Sequence, residues 1–176
     1  MISMRGDASI VIVKNNHDHG YLDLLKCGLE IFPENFTLSP QDPALHEFPT
    51  KNPLKGFTLG YLNRGVLCGV VTFTVMNDHA KLSHVGEISR MYVANEGKRP
   101  ALANRLLVTL VRMVQEEFPG VLWIRVKIAS INNKGKRLYT KFKFQLTTTE
   151  NNVIRIGNRF LDEDTMVLTL TKSQSP

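Results

Sequence analysis

The sequence predicts an α/β (α+β) fold, with a mixed, mostly antiparallel, twisted sheet of six to seven strands flanked by helices. Two observations predict it. Residues 55–93 contain three successive strand-like segments divided by turn residues, which is typical of an antiparallel meander. A long amphipathic helix at 101–117 then leads to an apolar strand at 121–127. Because a strand, a helix and a further strand in this order normally form a parallel crossover, one parallel pair is expected.

The first third of the chain predicts a strand, a helix and a loop. Residues 8–14 are rich in Ile and Val and predict a strand. Residues 21–32 carry leucines at helical spacing and predict a helix that Pro33 ends. Residues 34–53 contain several prolines and predict a loop with one short helical turn around 44–48.

The remaining elements follow from the same periodicities. Leu102, Leu106, Leu110 and Val114 form one apolar stripe, and Pro100 suits the first helical position because its missing N–H costs little there. The other elements expected are strands at 55–63, 66–76 and 81–93, a second helix at 133–141, and closing strands at 144–149, 153–156 and 166–170.

Chain length and composition indicate one soluble domain over residues 1–176. We divide it into a variable region at 8–53, a central core at 55–144, closing strands at 145–171 and a tail at 172–176. No apolar run is long enough to span a membrane, so no membrane association is expected. Cys27 and Cys68 form no Cys-x-x-Cys pair, which favours a reduced, cytoplasmic location.

The chain carries a formal net charge of +6, which suits an anionic ligand but does not by itself imply a nucleic acid. The sequence shows no cluster of metal ligands: His17-Asp18-His19 has metal-type side chains, but two histidines without further partners predict a turn. The sequence leaves a homodimer open.

A basic turn at 98–104 lies between the strand ending in Met91-Tyr92-Val93 and the long helix. It reads Lys98-Arg99-Pro100-Ala101-Leu102-Ala103-Asn104. A helix start offers unpaired backbone N–H groups and a positive dipole end, and small side chains let an anion approach them. The turn therefore predicts a seat for a phosphorylated ligand, or else a capped helix with two solvated basic residues.

A second candidate motif runs from Asn132 to Phe144 and includes Arg137, Leu138 and Tyr139. Asn132 and Tyr139 are two helical turns apart, so both can lie on one face. A tyrosine hydroxyl, with an ordinary pKa near 10, suits proton donation to a thiolate. The alternative is that Tyr139 is a core aromatic residue.

The two stretches together resemble the GCN5-related N-acetyltransferase (GNAT) superfamily. The first resembles its Gln/Arg-x-x-Gly-x-Gly/Ala pyrophosphate motif, with Lys98 at the leading position and Ala101 and Ala103 at the glycine positions. The second resembles its Asn-x-x-Ala-x-x-Leu-Tyr motif, from Asn132 to Tyr139. The resemblance covers residues 55–144 and implies a GNAT-like acyl-CoA transferase fold whose cosubstrate is acetyl-CoA, without a metal.

The resemblance also implies which residues bind acetyl-CoA. The backbone of the strand end would hold the pantetheine arm, and the Met91 N–H would polarise the thioester carbonyl. The basic turn would hold the pyrophosphate, and Asn132 would hydrogen-bond the cofactor arm. The complete set of implied cofactor-binding residues is Met91, Tyr92, Val93, Lys98, Arg99, Ala101, Ala103, Asn104, Asn132 and Arg137.

Two residues are implied as catalytic. Tyr139 would protonate the leaving thiolate, and Glu87 would act as the general base that takes a proton from the attacking ammonium. Glu87 could equally be a solvated strand residue, paired with Arg90. The acceptor would be a primary amine on a small molecule or a protein. An acidic run, Asp162-Glu163-Asp164, is expected in a hairpin between closing strands, as a soluble turn or as a collar that favours a cationic amine.

Three alternatives stay open at this point. Glu87-Ile88-Ser89-Arg90 also resembles the Glu-x-Ser-Arg stretch of acyl-homoserine-lactone and N-acyl amino acid synthases, which implies a long-chain acyl transferase. A second alternative is a non-catalytic interaction module that keeps the fold. A third, a nucleic-acid binder, depends only on the net charge and the basic run at 134–143.

Overall fold

The computed structural model describes residues 8–76, 80–94 and 99–170, and within the second helix it leaves out the side chain of Arg99. This part of the chain forms a seven-stranded sheet in the order β1-β2-β3-β4-β5-β7-β6. The strands are β1 Ala8–Val13, β2 Gly56–Asn63, β3 Val66–Val75, β4 Val85–Val93, β5 Trp123–Ala129, β6 Gln145–Ile156 and β7 Arg159–Thr169. The helices are α1 Tyr21–Ile31, α2 Arg99–Glu117 and α3 Asn133–Lys141.

The neighbouring strands are antiparallel except for β4 and β5, which are parallel and joined through α2. The predicted mixed, mostly antiparallel sheet with one crossover is therefore confirmed. The alternation of side chains along each strand gives the sheet two faces, which we call the α2 face and the α1 face after the helix that packs on each.

Each face has its own apolar core. On the α2 face, the stripe Leu102, Leu106 and Leu110 packs against strand residues such as Phe73 and Ile124, and all five side chains are at most 6% exposed. On the α1 face, the core is formed mainly by Val13, Tyr21, Leu25, Leu29, Leu45, Phe48, Val70 and Tyr92. The predicted loop at 34–53 contributes to this second core through Leu45, which lies in a short 3-10 turn, Pro43–Leu45.

A β-bulge interrupts the pairing of β4 with β3. Thr72 lies opposite Ser89 and Val70 lies opposite Tyr92, so two β4 residues, Arg90 and Met91, occupy the space of one. Arg90 has a φ of 50°, in the left-handed region that side chains rarely adopt. A bulge leaves an extra residue outside the ladder and bends its strand. The strand that carries Met91 is thereby bent near its end.

Three sequence predictions need correction. Residues 81–84 are not strand, since Ala80–Leu82 forms a 3-10 turn and β4 begins at Val85. The strands expected at 144–149 and 153–156 are one long strand, β6. The acidic run lies within β7 rather than in a turn, and Gly157, with a φ of 59°, is in the hairpin connection instead.

Candidate functional site

An opening in the sheet lies between the parallel strands β4 and β5. Their pairing begins with Val85 opposite Trp123 and ends with Ile88 opposite Val126. Beyond that point β4 stays with β3 up to Val93, while β5 stays with β7. The two strands therefore part, and the bulged end of β4 borders the gap.

The predicted strand residues border this gap in different ways. Met91 is half-buried and packs against the α2-face core, and Val93 is buried in the same core. The Tyr92 ring points to the α1 face, where it packs 6.2 Å from the Phe36 ring. A ligand in the gap can therefore meet the backbone of Tyr92 but not its ring.

The start of α2 holds the described part of the basic turn. Arg99 is the first residue of α2, and Lys98 lies outside the described residues. Ala101 is exposed and Ala103 is half-buried. Among the residues that the structure describes, the buried Asn104 side-chain oxygen has no hydrogen-bond partner. Buried polar atoms are nearly always satisfied in folded proteins, so this atom marks a place where a partner is missing.

The second motif forms the start and body of α3. Asn132 caps the helix, since its Oδ1 accepts a hydrogen bond from the Gly135 N–H at 2.8 Å. An added Cβ at Gly135 would lie 2.8 Å from Asn132 Nδ2, so the glycine makes room for this cap. Arg137 is exposed on the same helix.

Tyr139 is buried, with 3% of its surface exposed, and its ring packs edge-on to Phe144. Burial raises the pKa of the Tyr139 hydroxyl above its ordinary value of 10.0. Among the described residues no hydrogen bond of its hydroxyl is found, and its oxygen is not one of the fully buried atoms that lack a partner. With its pKa raised, the hydroxyl is a neutral donor.

Glu87 lies on the α1 face, one pair before the strands part. Its Oε2 accepts from Arg125 Nε at 2.6 Å, and the two side chains are 31% and 30% exposed. The sequence prediction that Glu87 pairs with Arg90 is therefore wrong, because Glu87 pairs with Arg125. Arg90 instead donates to the carbonyls of Ala44 and Glu47, at 3.0 and 3.2 Å. These bonds tie the bulge to the loop that follows α1.

Sequence reasoning missed a second charged group on the α1 face. Lys127 Nζ lies 3.0 Å from Glu163 Oε1 and 3.5 Å from Glu150 Oε1. The Glu163 bond is the main cause that raises the pKa of Lys127 above its ordinary 10.5. The alternation Ile124-Arg125-Val126-Lys127 could have indicated this polar face of β5.

The neighbouring acid, Asp164, points to the α2 face and is 2% exposed. It accepts from Ser130 Oγ at 2.6 Å and Thr149 Oγ1 at 2.7 Å, and its other oxygen lies 2.7 Å from Lys136 Nζ. Burial alone would raise the pKa of Asp164, but these bonds outweigh it and lower the pKa below 3.8. Asp164 thereby fastens α3 to β5, β6 and β7.

The described residues contain neither a cluster of three or more potential metal ligands nor a helix both long and apolar enough to cross a membrane. The gap is bordered by the backbone of the bent end of β4, by the start of α2 that follows it and by the Glu87 carboxylate, while Tyr139 lies in the α2-face core. The groups that border the gap can hold an anionic, acylated ligand and position a nucleophile beside it.

No family model matches the sequence, and no curated protein matches it. Solved structures do match the fold. An N-acetyltransferase from Staphylococcus aureus Mu50 shares 22% identity, covers 93% of this chain and 99% of its own, and has a TM-score of 0.78. The yncA protein of Salmonella typhimurium, solved with its cofactor acetyl-CoA, shares 20% identity over 97% of this chain and 98% of its own, with a TM-score of 0.77.

A third match is the ribosomal-protein-alanine N-acetyltransferase from Brucella melitensis, at 19% identity, 92% and 99% coverage and a TM-score of 0.78. At these identities the matches define the fold: this chain has the fold of GNAT-type N-acetyltransferases over nearly its whole length. The fold class predicted from the sequence is thus confirmed.

Proposed function

We propose that the protein is an acetyl-CoA-dependent N-acetyltransferase that moves an acetyl group to a primary amine by direct attack on the thioester. The parting of β4 and β5 beside the start of α2 carries this proposal, because it opens a place for the donor between the strands. Bound acetyl-CoA supplies an activated acyl group. The acceptor is an amine on a small molecule or on a protein.

The residues at the gap fit this cofactor. The start of α2 supplies backbone N–H groups and a positive dipole end for the pyrophosphate. Ala101 and Ala103 have short side chains, which let the pyrophosphate approach these N–H groups. Rotating the Asn104 amide by half a turn would place its NH₂ donor where the unsatisfied oxygen now lies. We extend the same role to Lys98 and Arg99 as a prediction.

The strand end and α3 complete the cofactor site. The backbone of Met91, Tyr92 and Val93 would hold the pantetheine arm, with the Met91 N–H aimed at the thioester carbonyl. The Asn132 oxygen is used as a helix cap, so only its NH₂ group is left for the arm. Arg137 is exposed and would meet the outer part of the cofactor.

Tyr139 would donate a hydrogen bond to the departing sulfur. Its raised pKa keeps the proton on the hydroxyl oxygen, and a thiol is the stronger acid, with an ordinary pKa near 8.5. Full proton transfer from Tyr139 is therefore less favourable than a charge-assisted hydrogen bond that stabilises the thiolate. This differs from the proton donation that the sequence motif implies. The thiolate would then take the second proton that the amine nitrogen loses as the amide forms, so that CoA leaves as the thiol.

Glu87 would act as the base. Its Oε2 is engaged by Arg125, which leaves Oε1 to accept a proton from the acceptor ammonium. The expected acidic collar does not support a cationic acceptor, because Glu163 and Asp164 lie against lysines. We also propose a reduced, cytoplasmic location, in keeping with two free cysteines, Cys27 and Cys68.

The test begins with acetyl-CoA binding, measured by titration calorimetry, and continues with thiol release over a panel of amines. Ala101→Glu places a negative charge where the pyrophosphate would lie, so affinity should fall at least about tenfold, although the same charge stabilises a helix start. Val108→Glu adds the same charge at a site on α2 that is 56% exposed and is the control.

Two results would contradict the proposal in different ways. No heat at millimolar acetyl-CoA would favour the non-catalytic module. A second contradicting result is that acetyl-CoA binds but releases no thiol with any amine, while a long-chain acyl-CoA does release its thiol. That result would favour the long-chain acyl transferase.

A further inference from the structure

Arg125 presents unused hydrogen-bond donors on the α1 face of β5. Its Nε donates to Glu87 Oε2 at 2.6 Å, and among the described residues neither Nη1 nor Nη2 has a partner. The side chain is only 30% exposed, so it is partly withdrawn from water. A guanidinium carries five N–H donors in a planar fork, so four are left on Nη1 and Nη2, and two of these point along the edge that the two nitrogens share.

The next cation on the same strand and face shows the contrast. Lys127 Nζ is held by Glu163 and by Glu150, at 3.0 and 3.5 Å. Its charge is thus compensated by two carboxylates of β6 and β7. In the described ranges Arg125 has one hydrogen bond, through Nε, although a guanidinium can bind a carboxylate through two parallel bonds.

The position of Arg125 connects this edge to the proposed reaction site. It lies opposite Glu87, one pair before the last pair of β4 and β5, on the face away from α2. The turn Pro33–Asn35, which follows α1, lies across β5 and β6 on this same face. The Arg125 edge therefore lies beside the opening between the strands, on the face against which this turn packs.

The pair as a whole offers two kinds of group. Glu87 Oε1 is an acceptor without a partner in the described part of the chain, and the Arg125 Nη atoms are donors. An ammonium complements the first, and a carboxylate complements the second. Because Glu87 and Arg125 neutralise each other, a ligand that carries both charges adds no net charge to the pair.

We infer that the acceptor is a zwitterionic amine, such as an amino acid, whose carboxylate is bound by the Nη1 and Nη2 edge of Arg125 while its amine faces Glu87. This inference depends on the proposed acetyl transfer and names its substrate class. Arg125 sets specificity through a bidentate carboxylate contact, which a lysine cannot reproduce.

The experiment uses the full chain saturated with CoA, so that binding is read without turnover. Calorimetry compares glycine, β-alanine, 4-aminobutyrate and 6-aminohexanoate with the amide of each, which keeps the amine and removes the negative charge. For at least one chain length the acid should bind about tenfold more tightly than its amide, as expected for a charge-assisted bidentate contact.

Arg125→Gln should abolish that difference and leave CoA affinity unchanged, and Arg125→Lys should retain part of it. Arg112→Gln removes an exposed cation on α2 and should change neither quantity. Amides that bind as well as the acids, or no binding of any acid at millimolar concentration, would overturn the inference while CoA still binds. If the unmodified chain does not bind CoA at all, the proposed function is overturned together with this inference.

Discussion

The two faces of the sheet treat their charged side chains differently. On the α2 face Asp164 is 2% exposed and has three side-chain partners, one of which is charged. On the α1 face the side chains of Glu87, Arg125 and Lys127 are 31%, 30% and 36% exposed. The Arg125 Nη1 and Nη2 donors have no partner among the described residues. Glu163, which is adjacent to Asp164 in β7 and lies on the α1 face, is the exception, because its side chain is only 10% exposed while its partner Lys127 stays 36% exposed.

This difference separates structural charges from charges that a ligand can use. A charge inside a packed face must be satisfied by the protein, and removing one partner is then costly. A charge that stays one third exposed gains little from its ion pair, because water and salt screen it. Such a group can exchange its partner for a ligand at low cost, as the acceptor site requires.

The largest expected effect is on stability, at Asp164. Asp164→Ala leaves Ser130, Thr149 and Lys136 without their shared acceptor, and we expect a loss of about 3 kcal/mol in the free energy of unfolding. The loss is at the low end for a buried pair because Lys136 is 34% exposed and regains water. Urea unfolding measures it.

Asp162→Ala, on the same strand, is the matched control. Its carboxylate accepts one exposed backbone N–H, from Asn152, so its loss should be below about 1 kcal/mol. Equal losses at 162 and 164 would show that the buried contacts of Asp164 contribute no more to stability than one exposed hydrogen bond.

The pH dependence of stability gives a second readout for Asp164. Its folded pKa is lowered below the ordinary 3.8, so its contribution is complete above that value. The contribution is lost as the pH falls through the folded pKa, because the unfolded chain then binds the proton more readily. Asp164→Asn should therefore lose less stability than the unmodified chain between neutral pH and pH 3. A parallel acid profile would contradict this sign.

The second effect is on turnover, at Tyr139. Tyr139→Phe keeps the ring that packs on Phe144 and removes only the hydroxyl, for which no hydrogen bond is found among the described residues. We expect kcat to fall about 100-fold, while the free energy of unfolding and the acetyl-CoA affinity stay nearly constant. Steady-state kinetics with calorimetry separates the two. An unchanged kcat would remove Tyr139 from the reaction.

Sequence reasoning worked where local periodicity and packing agree. Leu102, Leu106 and Leu110 predicted the buried stripe of α2, and their side chains are at most 6% exposed. The bounds predicted for α3, Asn133–Lys141, match the structure because the Asn132 cap is encoded locally. The motif at 98–104 correctly predicted a helix start after a strand end, because this too is a local sequence pattern.

The rest depended on contacts between distant residues. Asp162-Glu163-Asp164 resembles a turn, and nothing near it shows that Lys127 and Lys136 neutralise the last two acids within a strand. The bulge at Arg90 has no sequence signal either, since a φ of 50° at an arginine is held by the carbonyls of Ala44 and Glu47. Long-range partners of this kind override local propensity.

The smallest expected effect is at Glu163, the neighbour of Asp164 on the opposite face. Glu163→Gln removes the main cause of the raised pKa of Lys127, yet Lys127 is 36% exposed and keeps Glu150 nearby. We expect a loss below about 1 kcal/mol in the free energy of unfolding near neutral pH. Because the folded pKa lies above the ordinary 10.5, the Lys127 contribution is complete below 10.5 and is lost as the pH rises from there through the folded pKa.

Added salt distinguishes this loss from that at Asp164. A screened pair on the α1 face should lose its small contribution as the ionic strength rises from 0.1 to 1 M, because the Debye length shortens from about 10 to about 3 Å. The loss caused by Asp164→Ala should persist, since the neutral donors Ser130 and Thr149 are not screened. If Glu163→Gln costs as much as Asp164→Ala at both salt concentrations, the α1-face charges are structural, and a ligand could not displace them at low cost.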